Sequence, residues 1–365
     1  MVRIQDIAAA LESWAPPAYQ ESYDNAGLLV GDPQTPLTGV LICLDATEAV
    51  VAEAVRRGCN LVVAHHPIVF KGLKKINTGS YVGRAVVAAV KHDVALYAAH
   101  TNLDNVQGGV NFHIAARLGL EGVRILAPKK QVLQKLVAFV PAENTLAVLD
   151  ALYAAGAGQI GNYTNCSFRT PGTGTFKPSA AANPHIGAAG RQEEVSEDRV
   201  EVIFPAYRSG KVLAALRQAH PYEEVAYFLT ALENENQEVG AGAVGTLPGP
   251  VPEMQFLTFL KERMGAGCVR YTPLRGKMVQ KVAVCGGTGS FLTADAIRAG
   301  ADVFVTADVK YHEFFDADGK IVIADIGHYE SEAFTKELIH TRLSEKFPSI
   351  AIHLSEVVTN PINYL

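Results

Sequence analysis

The spacing of apolar and polar residues predicts short strands alternating with helices in both outer parts of the chain. Short apolar runs at 40–44, 61–64 and 95–99 are typical of buried strands. Residues 4–14 and 80–91 instead repeat their apolar positions as amphipathic helices do. Strands alternating with helices are typical of a sheet with helices packed on it, so the fold class is predicted to be α/β.

One strand–helix–strand pattern occurs twice. When Cys43 is placed over Cys285, residues 40–63 align with 282–305 without a gap. In this alignment Gly58 falls on Gly300, as a helix stop in both copies. The repeat predicts two pseudo-symmetric α/β halves, residues 1–130 and 246–365, that form one domain.

Residues 131–245 interrupt this repeat and are predicted to be an inserted domain. Their pattern of strand, helix, strand, strand, helix and strand is the β-α-β-β-α-β order of ferredoxin-like α+β domains. Within and after the insertion, 170–196 is predicted to be a long exposed loop and 240–252 a linker, because both are rich in Gly and Pro.

Candidate chemistry begins where the apolar run 61–64 meets His65, His66 and Pro67. Proline ends a strand, and ligands bind at the carboxyl ends of strands in open α/β sheets. The histidine pair alone fits a metal site and an ordinary loop equally well. Asp45, at the end of the neighbouring strand, is predicted to cap the next helix.

A histidine is followed by a carboxylate four residues later in each half. His100 precedes Asp104, and His328 precedes Glu332. If the chain turns helical after His328, this spacing puts His328 and Glu332 on one face. A cluster of His, Asp and Glu without thiolates suits two borderline or hard divalent ions.

Several short motifs together resemble one known family. They are Asp24-Asn25-Ala26-Gly27-Leu28, His65-His66-Pro67, Thr101-Asn102-Leu103-Asp104-Asn105, Thr306-Ala307-Asp308 with Tyr311-His312, Gly327-His328 with Glu332, and Thr359-Asn360-Pro361-Ile362. In this order and spacing the chain resembles the Nif-three-like proteins, also called GTP cyclohydrolase I type 2 homologues. The resemblance implies a toroidal homohexamer and a dinuclear metal site with the ligands His65, His66, Asp104, His328 and Glu332.

The segment His220-Pro221-Tyr222-Glu223-Glu224 resembles a motif of CutA-like trimeric domains, which are inserted in longer members of this family. His220 and Glu223 are candidates for binding, but packing and turn formation are the preferred interpretation.

The leading functional hypothesis is a metal-dependent hydrolase. Two divalent ions per chain, either zinc, iron or manganese, would share a bridging water and lower its pKa. His100 or His312 would transfer protons as catalytic residues, although a structural role is the preferred interpretation of His312 as a lone histidine. Lys71, Lys74 and Lys75 follow the histidine pair, and a solvated loop is their default interpretation. Cations beside a metal site could also hold the phosphate of a nucleotide or another phosphorylated small molecule.

Two alternatives stay open beside the hydrolase. The first is a non-catalytic metal-binding or regulatory hexamer that recruits a partner through its inserted domain. The second is a nucleotide-binding module at 286–290, which ranks last because Leu292 stands where the dinucleotide fingerprint needs a third glycine.

Composition narrows the class of protein without choosing among these hypotheses. A hydrophobic content of 48%, 19% charged residues and a net charge of -5 fit a globular protein without general attraction to nucleic acid or anionic lipid. The five cysteines form no C-x-x-C pair, and no signal peptide or membrane-spanning run is apparent. These features predict a cytoplasmic protein.

Overall fold

The structure is a computed structural model that describes all residues from Met1 to Leu365. The chain divides into two compact units: Met1–Pro128 together with Gln237–Leu365, and Lys129–Asn236. None of its helices is both long and apolar enough to pass through a lipid bilayer.

Strands and helices are numbered in chain order. The strands are β1 (Gly27–Val30), β2 (Val40–Asp45), β3 (Leu61–His66), β4 (Ala95–Ala98), β5 (Glu121–Lys129), β6 (Leu133–Pro141), β7 (Phe168–Phe176), β8 (Glu193–Pro205), β9 (Tyr227–Leu232), β10 (Asn236–Pro252), β11 (Arg270–Tyr271), β12 (Met278–Thr288), β13 (Val303–Ala307), β14 (Val322–Asp325) and β15 (Ile352–Leu354). The α-helices are α1 (Ile4–Trp14), α2 (Glu48–Arg56), α3 (Tyr81–Lys91), α4 (Thr101–Asp104), α5 (Val110–Arg117), α6 (Thr145–Ala154), α7 (Ser209–Ala219), α8 (Glu253–Met264), α9 (Thr293–Arg298), α10 (His328–Glu332) and α11 (Thr335–Lys346).

The first unit contains two mixed sheets. One has the strand order β1-β4-β3-β2-β15, and the other has the order β11-β14-β13-β12-β10-β5. In each sheet three consecutive strands run parallel, β2-β3-β4 and β12-β13-β14. The last strand, β15, pairs with β2, and β5 lies at the edge of the other sheet. Each of the two outer segments of the chain thus supplies an edge strand to the sheet that is built mainly from the other segment.

Continuous apolar runs favour burial on both faces of a sheet. The strands β2, β3, β4, β13 and β14 are buried along almost their whole length. Alternate residues of β2 point to opposite sides. Ile42 joins the main hydrophobic cluster, which also contains Tyr97 and Val305 and so draws on both sheets. Leu41 packs on the other side with residues of α2. Burial on both faces fixes the strand positions, and with them the side chains at their carboxyl ends.

The second unit has the element order β6-α6-β7-β8-α7-β9. Its sheet has the strand order β7-β8-β6-β9, and all neighbouring strands are antiparallel. Leu136 and Val202 of the sheet pack with Val148 of α6 and Val212 of α7 in a separate hydrophobic cluster. This unit therefore has a core of its own.

Two segments differ from the sequence expectations. The predicted loop 170–196 contains most of β7 and the start of β8, which pair in continuous register from Phe168 opposite Glu201 to Phe176 opposite Glu193. Most of β7 is exposed, so no alternation of buried side chains marks it in the sequence. Its backbone hydrogen bonds to β8, rather than side-chain burial, make it a strand.

The predicted linker 240–252 is instead part of β10, which pairs with β12 through Ala243 opposite Val284. Its glycines allow close packing. A Cβ atom on Gly240 would lie 2.2 Å from the carbonyl oxygen of Ala127, at the end of β5. Glycine here permits a close approach of two backbones, which composition alone does not distinguish from flexibility.

Deleting 129–236 and joining the ends with a short Gly/Ser linker is expected to leave a folded protein that still binds metal. The reason is that the second unit has its own core, while the metal-binding candidates all lie in the first. Circular dichroism and elemental analysis of the shortened chain test this. Loss of both fold and metal would show that 129–236 is required for the first unit to fold.

Candidate metal centre

Four histidine rings from three segments of the chain lie together. His65 and His66 end β3, His100 follows β4, and His328 begins α10 after β14. The ring centroid of His66 is 5.0 Å from that of His65, 5.4 Å from that of His100 and 5.2 Å from that of His328. The carboxyl ends of parallel strands from both sheets thus converge, as expected for ligand sites in α/β proteins.

Each imidazole is held through Nδ1 by a fixed oxygen acceptor. The pairs and their N–O distances are His65 with the Ala99 carbonyl (2.7 Å), His66 with Asp45 (2.8 Å), His100 with Asp24 (2.7 Å) and His328 with Asp308 (2.7 Å). An Nδ1–H donated in this way leaves the lone pair on Nε2 and fixes the ring plane. This is the usual support for an imidazole that binds a metal through Nε2.

The predicted capping role of Asp45 is wrong. Thr47 caps α2, since its side chain accepts a hydrogen bond from the backbone N–H of Val50. Asp45 lies opposite His66 in the parallel ladder of β2 and β3, and the hydroxyl of Thr359 donates to its other oxygen. The register of the two predicted strands, had it been followed to their ends, was the signal for this pairing.

Two carboxylates complete the cluster. Glu332 is 3% exposed, and its Oε2 lies 2.9 Å from Nε2 of His66 and 3.0 Å from Nε2 of His328. Its other oxygen, Oε1, lies 3.8 Å from Nε2 of His65. Oδ1 of Asp104 is 3.6 Å from the same His65 nitrogen. The two oxygens of Glu332 therefore face different imidazoles.

The polar atoms of the cluster fit a cation. Nε2 of His65 and Oδ1 of Asp104 are buried and have no hydrogen-bond partner. Orphaned buried polar atoms are rare, and an ion is one of the standard explanations for them. Ligand atoms of His65, His66 and Glu332 also lie within 4.8 Å of one another. Imidazole nitrogens with carboxylate oxygens suit a divalent ion of borderline or hard character.

Without a metal, burial and the neighbouring charged groups change the pKa values of His66, Asp104 and Glu332. Burial disfavours charge on His66, but its hydrogen bonds to Asp45 and Glu332 outweigh burial and raise its pKa to about 9. Burial and the neighbouring charge of Glu332 raise the pKa of Asp104 to about 8. Burial opposes charge on Glu332 as well, but hydrogen bonds from the histidines hold its pKa well below the usual value. A binding cation therefore has to displace protons.

Gly287 makes room for Glu332. Its φ of +59° lies in the left-handed region, and a Cβ atom there would be 2.4 Å from Oε1 of Glu332. Its backbone N–H donates to the hydroxyl of Ser331. In the sequence, the segment 286–290 suggested only a nucleotide-binding module, and nothing in the sequence alone connected it with the metal candidates.

The two predicted proton-transfer residues differ in position. His100 lies among the clustered rings, with its centroid 5.4 Å from that of His65. His312 is exposed on the 3-10 helix Tyr311–Ala317. Its ring contacts are with Tyr311 and Phe315, so the structure does not bring it into ring contact with the clustered histidines.

A cavity of about 820 Å³ opens beside the cluster. His66, His100 and His328 reach it from the cluster, and Lys71 is the cationic side chain in its wall. The remaining lining residues are Asp45, Thr47, Pro67, Ile68, Phe70, Leu73, Tyr81, Val82, Thr359 and Pro361. The cavity is large enough for a small-molecule substrate.

Asp24 belongs to the site through its hydrogen bond with His100. Its side chain is fully buried and accepts hydrogen bonds from His100, from the backbone N–H of Thr101 and from the Thr101 hydroxyl. Burial alone would raise the pKa of Asp24, but the hydrogen bonds from His100 and Thr101 outweigh it and lower that pKa from 3.8 to about 2.

Replacing Asp24 by asparagine is expected to cost about 2 kcal/mol of stability at pH 7. Because the folded pKa is depressed, this stabilisation is present above the unfolded pKa of 3.8 and is lost as the pH falls through about 2. Urea unfolding of the wild type and Asp24→Asn at several pH values measures it. A stability gap that stayed constant from pH 7 to pH 3 would contradict this assignment.

Comparison with known proteins identifies the family. The family model described as Duf34/NIF3 (NGG1p interacting factor 3) matches residues 2–361. The chain belongs to the Duf34/NIF3 family. The family resemblance noted in the sequence is thereby confirmed.

Relatives in this family align over nearly the whole chain. The protein named GTP cyclohydrolase 1 type 2 homolog of Halalkalibacterium halodurans is 41% identical over 367 residues, which covers 99% of this chain and 98% of that protein. The protein of the same name from Bacillus subtilis is 40% identical with the same coverage.

Solved structures of the Duf34/NIF3 family share the architecture. The Bacillus cereus protein related to NIF3 is 38% identical, with a TM-score of 0.86 over 100% of this chain and 99% of that chain. Staphylococcus aureus protein SA1388 is 29% identical, with a TM-score of 0.80 and the same coverage. The α/β fold class is thus confirmed at the level of the mixed α/β architecture.

Proposed function

We propose that the chain is a metal-dependent hydrolase with a dinuclear centre that acts on a phosphorylated small molecule. The observation that carries this proposal is the position of Glu332, whose two oxygens face different sets of imidazole nitrogens. A carboxylate has two oxygens and can hold one cation with each. A site for a single ion would need imidazole nitrogens beside only one of the two Glu332 oxygens.

The candidate ligands fall into two groups around Glu332. His65 and Asp104 lie on the side of Oε1, and His66 and His328 lie on the side of Oε2. The choice among zinc, iron and manganese does not follow from this donor set, because imidazole and carboxylate bind all three.

When bound, such ions act as Lewis acids and lower the pKa of a water molecule to near neutrality. The chain's own residues then have separate tasks. Nδ1 anchoring fixes the imidazole planes, and Gly287 leaves space for the Glu332 carboxylate. His100, which Asp24 holds at the cavity wall, would accept or deliver a proton. Lys71, in the wall of the same cavity, would pair with a phosphate group of the substrate.

The first substrate to test is GTP, because relatives across the full length carry the name GTP cyclohydrolase 1 type 2 homolog. Protein purified without chelator is analysed for metal and then incubated with GTP and a panel of phosphorylated metabolites. The expected result is about two ions per chain and release of a hydrolysis product from at least one compound. A Lys71→Ala variant is expected to raise KM more than it lowers kcat.

The same assay tests a second candidate function, a metal-binding regulatory protein without turnover. The observation that favours it is the compact unit Lys129–Asn236, whose separate core and β-α-β-β-α-β order suit an inserted ferredoxin-like recruitment domain. Protein that holds both ions and turns over no compound would support this candidate. Protein that holds less than one ion after metal supplementation would contradict both.

We also propose that six chains assemble into a ring, as the family resemblance implies. Light scattering at micromolar concentration is expected to give a mass close to six times that of the chain. A stable monomer would contradict this proposal but would not contradict the proposed metal centre.

A further inference from the structure

The second unit contains a cavity that the proposed hydrolase does not use. Its volume is about 780 Å³, within the range of small-molecule sites. It lies between β7, the segment after β7, and the Tyr222-Glu223-Glu224 segment, and all its lining residues belong to Lys129–Asn236. The backbone N–H of Asn183 donates to Glu223, which ties two of these segments together.

Aromatic rings form much of the cavity wall. The ring of Tyr222 is 5.8 Å from that of Phe176 and 6.4 Å from that of His185, measured between centroids. Phe139 of β6 also lines the cavity. The faces of aromatic rings carry negative electrostatic potential and attract cations.

A buried carboxylate, Glu197 of β8, reaches the same cavity. It is 7% exposed, and its Oε1 accepts a hydrogen bond of 3.0 Å from the hydroxyl of Tyr222. Its Oε2 lies over Gly174, where a Cβ atom would come within 2.0 Å. Burial and the charge of Glu197 raise the pKa of Tyr222, so the phenol keeps its proton and donates.

Glu197 has no cationic partner within the protein. Arg199, two residues along the same strand, pairs with Glu201 at 2.8 Å. His220 is neutral, because its Nε2 donates to the carbonyl of Phe139 and its Nδ1 accepts from the backbone N–H of Tyr222. A buried glutamate is almost always paired, so the missing countercharge points to a ligand.

The cavity rim also favours positive charge. Glu223 and Glu224 at the rim carry negative charge. Lys177 is the one lysine among the lining residues, and its side chain is exposed to solvent. The side-chain groups with metal-ligand spacing in this structure are those of the first unit. A chelated metal ion is therefore a poor occupant, and a larger organic cation fits the volume and the aromatic walls better.

We propose that this cavity binds a small organic cation, whose ammonium or guanidinium group pairs with Glu197 and lies against the rings of Phe139, Phe176 and Tyr222. The segment from His220 to Glu224, which the sequence presents mainly as a turn, supplies both the tyrosine and part of the rim. The site is independent of the metal centre and would make the second unit a sensor or carrier of such a molecule.

The test uses choline and its neutral isostere 3,3-dimethylbutan-1-ol, with agmatine as a guanidinium probe. Calorimetric titration of the full chain is expected to show binding of choline or agmatine, and binding of the neutral alcohol at least about tenfold weaker than that of choline. Failure of both cations to bind, or equal binding of choline and the alcohol, overturns the proposal. These comparisons use the wild type and do not depend on the folding of any variant.

A matched pair of variants locates the site. Glu197→Gln keeps the shape and removes the charge, so affinity for the bound cation is expected to fall at least about tenfold. Glu194→Gln makes the same change at an exposed position of β8 outside the cavity and should leave affinity unchanged. Unaltered affinity in a folded Glu197→Gln protein, shown by circular dichroism, would overturn the assignment.

Discussion

Replacing Glu332 by alanine is expected to remove at least one metal ion per chain and to abolish any hydrolytic activity. The carboxylate faces His65 with one oxygen and both His66 and His328 with the other, so alanine takes ligands from both groups at once. It also removes a negative charge from a site where two divalent cations would otherwise repel each other at short range. Asp104→Ala is expected to lose an ion for the same reasons on the side of His65.

The measurement is the metal content of purified variants, with circular dichroism to confirm folding. His312→Ala is the matched surface control and should keep both ions, because His312 is exposed and its ring contacts are with Tyr311 and Phe315. His100→Ala should also keep them, while losing activity by about 10–100-fold. If a folded Glu332→Ala protein keeps both ions and His312→Ala loses them, the assignment of the ligands is wrong and the metal centre includes residues 308–312.

Removing the metal is expected to lower the melting temperature by on the order of 10 °C. Without cations, charge on the Asp104 carboxyl group is opposed by burial and by the charge of Glu332, and Nε2 of His65 has no partner. A ligand present at 100 to 1,000 times its dissociation constant stabilises the folded state by about 3–4 kcal/mol. Each kcal/mol corresponds to about 2–4 °C for a domain of this size.

Scanning calorimetry before and after chelation measures this shift, and readdition of metal should reverse it. Glu332→Ala serves as the control, since chelation should move its melting temperature much less. Identical melting temperatures for metal-loaded and chelated wild-type protein would show that the cluster stabilises itself without an ion, through the hydrogen bonds of Glu332 to His66 and His328.

Local patterns in the sequence were sufficient to predict much of the architecture. Helices were predicted at 4–14 and 80–91, and the structure has α1 at Ile4–Trp14 and α3 at Tyr81–Lys91. The four-residue spacing of His328 and Glu332 predicted one helical face, and α10 brings Nε2 and Oε2 to 3.0 Å. These predictions succeeded because helix and strand periods, and contacts within one helical turn, are properties of neighbouring residues.

Strands whose side chains are exposed or whose residues are glycines were missed for the same reason. β7 and β10 are strands because of the strands beside them, and neither carries the alternation of buried residues that a sequence reveals. The prediction that Asp45 caps a helix was wrong for a similar reason. Its partner His66 lies across the ladder on a neighbouring strand, whereas a cap is judged only from the residues that follow.

By itself, then, the sequence determined that apolar strands end in histidines and that carboxylates follow at helical spacing. Only the tertiary structure decided which of these groups meet. His66 and Glu332 are 266 positions apart, and their contact exists because parallel strands from two sheets end at one place. The Nδ1 anchors at Asp24, Asp45 and Asp308 and the orphaned atoms of His65 and Asp104 depend on the same convergence. Such contacts arise from packing across the core, which no local pattern encodes.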